Sequence, residues 1–101
     1  MRWFLAAITL LATLTIAQGH GPAQWIQDGR FRNTAGDLCC GERDCRELAD
    51  ADVGITETGY LVKSLKETVP YQEAQPSPDG HYWRCAWGGT RKCFFAPPNA
   101  T

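Results

Sequence analysis

A chain of 101 residues with ten basic and eleven acidic side chains, for a formal net charge of −1, has no positive surplus with which to displace counterions from a phosphate backbone. That excludes nucleic acid as a partner, and the interspersed signs leave no charged tail. Five cysteines in so short a chain point instead to covalent bracing in an oxidising compartment.

Met1-Arg2 is followed by the uncharged run "WFLAAITLLATLTI" at 3–16 and then by "AQGH". This is the charged start, apolar centre and small-residue exit of a secretory signal peptide. The run is shorter than the about 20 apolar residues of a spanning helix and has no basic flank behind it. Cleavage is expected after Gly19, with a cut after Ala17 as the alternative. That leaves residues 20–101 as one small cysteine-rich domain, periplasmic or secreted, with no membrane span after cleavage. A domain of this size buries only about 60% of its unfolded surface, so its core needs covalent help.

In the mature chain, Pro22 followed by "AQWIQDG" predicts a short helix ending at Gly29. Residues 30–41 have a loop composition and lead into "DLCCGERDC" at 37–45. Val53 and Ile55, a turn at "ETG" (57–59) and "YLVKSL" (60–65) predict a hairpin. Ser77-Pro78-Asp79-Gly80 suits a type I turn, which launches the strand "HYWRCAW" at 81–87. Gly88-Gly89-Thr90 then reverses the chain into "RKCFF" at 91–95.

A three-residue reversal sets Trp83 opposite Phe95, Cys85 opposite Cys93 and Trp87 opposite Arg91. Alternation then places Trp83, Cys85, Trp87, Cys93 and Phe95 on one core face. Tyr82 and Phe94 fall on the other face, a candidate binding surface if exposed together. Pro97-Pro98 ends the strand. The expected fold is mainly β: a small disulfide-stapled antiparallel sheet of short hairpins with a short N-terminal helix.

The cysteines lack the paired C-x2-C knuckles of a zinc site and the C-x-x-C of a thioredoxin-like centre. Disulfides are the expected use. Adjacent Cys39 and Cys40 should look to different partners, because bonding to each other strains the peptide between them. The favoured arrangement joins Cys45 to Cys85 and one of Cys39 or Cys40 to Cys93. The rival pairs Cys85 with Cys93 and Cys40 with Cys45. Either leaves one of the five unpaired.

Of the two histidines, His20 becomes the N-terminal residue after a cut at Gly19, where its amine and imidazole can chelate Cu(II); His81 is the candidate further ligand. Glu42, Asp44, Glu47, Asp50 and Asp52 interleave with Arg43 and Arg46 and lack calcium-loop spacing, which favours a solvated turn. No nucleophile motif or phosphate loop is present, so neither catalysis nor a cofactor is expected.

The combination of "HGPAQWI", "LCCGERDC", "SPDGHYWRC" and "CFFAPP" resembles a family of uncharacterised small exported proteobacterial, rhizobial-type proteins. These share a CCG-x-x-DC cluster and a C-terminal CFF-x-P. The resemblance spans about His20 to Pro98 and implies a cysteine-stapled exported domain without assigning an activity. The expected function is a non-enzymatic binding or interaction module for a protein, peptide or glycan in the envelope or outside the cell. Copper binding through His20 is the second expectation, and a small secreted inhibitor or effector the third.

Overall fold

The computed structural model describes residues 22–40 and 43–98. The expected signal peptide, both candidate cleavage points and His20 lie outside the described residues. Helix α1 (Gln24–Gly29) is followed by seven strands: β1 (Cys45–Leu48), β2 (Val53–Ile55), β3 (Gly59–Val62), β4 (Glu67–Pro70), β5 (Ala74–Pro76), β6 (Tyr82–Trp87) and β7 (Thr90–Ala96). They form a four-stranded sheet of order β1-β6-β7-β5 and a three-stranded meander, β2-β3-β4. The fold is mainly β, as expected. All pairings are antiparallel except β5 with β7.

The β6–β7 hairpin is the spine. Trp83 pairs with Phe95 and Cys85 with Cys93, but Trp87 faces Thr90 and not Arg91. The reversal is a two-residue loop, Gly88-Gly89, with φ of 65° and 79°. Positive φ at both positions is what a type I′ turn requires and what glycine supplies without strain. Lys92 is then the extra residue, and the register shifts at Cys85/Ala86 to absorb it. The 53–65 hairpin also gains a third strand, β4, and β1 and β5 join the central sheet as its edges.

Both faces of β6–β7 are covered, which corrects the expectation for Tyr82 and Phe94. One face packs Trp83, Cys85, Cys93 and Phe95 against Ala23, Ile26 and Cys39 of the N-terminal segment. The other packs Tyr82 and Phe94 against Val53, Tyr60, Val62 and Val69 of the meander. Phe94 stacks on Tyr60 at 5.4 Å, and Tyr82 meets the same ring edge-on at 5.9 Å. Tyr82 and Phe94 are 8% and 0% exposed and therefore form core, not a binding surface. Burial pushes the Tyr60 and Tyr82 phenols above their ordinary pKa.

The N-terminal layer is held by rings, one carboxylate and one disulfide. Trp25, Phe31 and Phe95 form an edge-to-face trio with centroids 5.0 to 5.6 Å apart. The Trp25 and Trp83 indoles both donate to Asp79 Oδ2, at 3.0 and 2.9 Å, while Asp79 Oδ1 accepts from Ser77 Oγ and the His81 N–H. The turn that launches β6 thus also fastens the helix. Burial raises the Asp79 carboxyl, but these four donors outweigh it and hold the group below its usual range.

The disulfides are Cys39–Cys93 and Cys45–Cys85, with Cys40 free. The Ala86 N–H donates to Asp44 O at 2.9 Å, so pair 44/86 is hydrogen-bonded and the adjoining pair 45/85 is of the closer, non-hydrogen-bonded kind. Backbone groups alternate in direction along a strand, so Cys85 turns its own N–H and C=O toward β7, where side chains of a pair stand further apart. That geometry favours Cys45 over Cys93 as its partner. Cys39 is delivered to Cys93 by a small closed loop: its N–H donates to Phe31 O at 2.8 Å, and Arg32 bridges Leu38. The next residue, Cys40, turns into the left-handed region at φ 69°.

Candidate functional site

On β1 alternation separates Cys45 and Glu47 from Arg46 and Leu48. Leu48 pairs with Tyr82 under the meander, and Arg46 pairs with Arg84 in the next cross-strand row. That row opens into a cleft of about 450 Å³, walled by β1, β6 and the turn after β3. Arg43, Arg46 and Arg84 supply its charge, with Asp44 the one carboxylate in its lining; Leu48, Leu65 and Ala86 supply its apolar surface.

Like charges directly opposed across strands repel, and only one of the two opposed arginines is answered. Arg84 Nε and Nη2 donate to the two oxygens of Glu67, at 3.1 and 2.7 Å. Arg91 donates to the same carboxylate through Nη1 and grips Glu73 through Nε and Nη2 at 2.9 and 2.7 Å. Arg84, Glu67, Arg91 and Glu73 therefore form a charge-balanced ladder between the central sheet and the meander. Among the described residues no carboxylate lies within ion-pair distance of Arg43 or Arg46.

Burial pushes the Glu67 carboxyl up, but hydrogen bonds and charge from Arg84 and Arg91 prevail and leave it below the usual carboxylate range. The Glu73 hydrogen bonds lift Arg91 above its ordinary value against the opposing effect of burial, with Glu67 adding to the rise. Glu67 and Arg91 are thus both biased toward their charged forms.

The far wall of the cleft is also fixed. Asp52 accepts from the Ser64 N–H at 2.9 Å and from Ser64 Oγ at 2.7 Å, and its carbonyl accepts from the Lys63 N–H at 2.8 Å. The turn these bonds pin holds Leu65 half exposed at the rim, at 50%. Sequence reasoning set Arg43, Arg46 and the neighbouring acids aside as a solvated turn. The four residues "CREL" show no alternation of their own, and Arg46 comes onto the face of Leu48 because β1 pairs with β6.

The other candidates are dispersed. The His81 Nδ1 lies 3.2 Å from Glu47 Oε2, on the face of β1 opposite Arg46, while its proposed partner His20 lies outside the described residues. Among the described residues no group of three or more metal-ligating side chains converges. Cys40 is half-buried beside the Cys39–Cys93 bridge. A second, shallower groove of about 340 Å³ runs between Tyr60, Tyr71 and Pro76 and the end of β7, without a charged lining. No described helix is long and apolar enough to cross a membrane. No family model, curated protein or solved structure matches the chain.

Proposed function

We propose that the mature chain is a non-enzymatic binding module, exported to the periplasm or beyond the cell, that receives its ligand in the arginine-lined cleft. The observation that carries this reading is Arg46, set opposite Arg84 with no carboxylate partner among the described residues, in a cleft whose far wall is pinned by Asp52. A pre-formed pocket with a few directed polar groups and an apolar wall is the usual form of a small-molecule or chain-end site. The groups in it bind and orient. The Cys45 sulfur is committed to a bridge and the Ser64 hydroxyl to Asp52, so neither is poised as a nucleophile. Export is supported by the leader-like residues 1–19, by two disulfides that suit an oxidising compartment, and by the resemblance to small exported proteobacterial proteins.

Amide correlation spectra of the processed protein, titrated with a panel of small carboxylates, amines, sugars and tripeptides, test the reading. Saturable shifts confined to residues 43–48, 64–65 and 84–86 are expected for at least one probe. Shifts that never saturate, or that scatter over the surface, would contradict it.

A further inference from the structure

We infer that the cleft is built for an amphiphilic monoanion, a single carboxylate carried on an apolar chain; this rests on the cleft being the binding site. Among the described residues three guanidiniums line the cleft with the Asp44 carboxylate, and Glu67 answers Arg84, which leaves a net surplus of one positive charge. One surplus charge matches a carboxylate better than a dianionic phosphate.

The donors are specific as well as charged. Arg84 uses Nε and Nη2 on Glu67, which leaves Nη1 uncommitted among the described residues. Arg46 has no ion-pair partner among the described residues and offers a whole guanidinium edge, the planar fork that a carboxylate engages with two parallel hydrogen bonds. A bound carboxylate between Arg46 and Arg84 also cancels the repulsion that their register imposes. Leu48, buried, and Leu65, half exposed, line the same cleft, so an apolar chain leaving the carboxylate finds apolar surface there. The exposed Leu65 is explained by this arrangement, since covering it returns apolar surface from water.

The probes are octanoate, acetate, octylamine and inorganic phosphate, titrated into the oxidised, processed protein by calorimetry and by amide shifts. Octanoate should bind saturably at residues 43–48 and 64–65, more tightly than acetate or phosphate, while octylamine should not bind there. Arg46→Gln should weaken octanoate about tenfold or more, and added salt should weaken it further in the unmodified protein. Leu65→Asn should weaken octanoate while leaving the acetate response unchanged. Arg46 is exposed on an edge strand and repelled by Arg84, so its replacement leaves the fold intact, which the same spectra report.

Octylamine binding in the cleft as well as octanoate does, phosphate binding more tightly than octanoate, or full octanoate affinity in Arg46→Gln would each overturn the inference. Saturable binding of octylamine alone would sink the carboxylate assignment yet leave the binding-module reading standing. The absence of any probe binding would remove both.

Discussion

At the scale of single residues, close backbone approach and turn chemistry decide most of what happens. A Cβ on Gly59 would lie 2.1 Å from the Val69 carbonyl oxygen, and a backbone atom paired in the meander cannot move aside. Gly59→Ala is therefore expected to destabilise the protein by about 1–3 kcal/mol, seen as a lower urea midpoint with an unchanged slope; an unaltered midpoint would show that β3 and β4 can separate freely. The turn role of "ETG" was legible in the sequence, but the demand for glycine at its last position was not, because it comes from a strand eight or more residues further along. The Ser77–Gly80 segment was legible as a turn, with the Gly80 N–H returning to Ser77 O at 3.4 Å. Its second task, gathering two indoles on Asp79, depends on Trp25, more than fifty residues away.

Among elements, the ladder of Arg84, Glu67, Arg91 and Glu73 joins the meander to the central sheet. The Glu67 and Asp79 carboxyls both titrate lower in the folded protein than in the unfolded chain, so the native state binds fewer protons across that interval. Their contribution is fully present above the unfolded carboxylate range of about pH 4 and is lost as the pH falls through the lower folded values. Stability followed by urea unfolding should hold from neutrality to the top of that range and then decline. Glu67→Gln should start lower at pH 7 and show a shallower acid decline, and a variant with the same acid slope as the parent would detach the ladder from the pH dependence. Apolar alternation in 82–87 and 91–95 revealed the hairpin and its first two pairings. It could not reveal that both faces are covered, because Tyr82 and Phe94 alternate with Trp83 and Phe95 equally well whether the second face meets solvent or a sheet. The four residues of β1 and three of β5 are too short to show a period, and β5 owes its place to pairing with β7.

On the scale of the whole molecule, three layers enclose two small core clusters, one on each face of the central sheet, and the disulfides connect elements far apart in the chain. Cys39–Cys93 spans 54 residues and fastens the N-terminal layer to β7, while Cys45–Cys85 spans 40 and fastens β1 to β6. In the chain-entropy view each contributes about 4 kcal/mol alone and the second less once the first is closed. Replacing either pair by alanine should lower stability by about 2–4 kcal/mol, whereas Cys40→Ser should stay within about 0.5 kcal/mol of the parent; thermal melts in non-reducing buffer distinguish the three. The preference for bridges between the cysteine cluster and the last hairpin was legible from the loops they close. The choice of Cys39 over Cys40 was not, since it is made by the loop that pairs Arg32 with Leu38 and presents Cys39 to the interior.

The most direct test of an exported, doubly bridged domain with one spare thiol is the intact mass of the protein made with its own leader, alkylated without reduction, followed by a map of its linked peptides. The account predicts a chain beginning at His20 or Gln18, lacking the hydrogens of two bridges, with a single alkyl group on Cys40 and crosslinks Cys39–Cys93 and Cys45–Cys85. A chain that keeps residues 1–19, alkylation at more than one cysteine, or Cys40 found in a crosslinked peptide would contradict it.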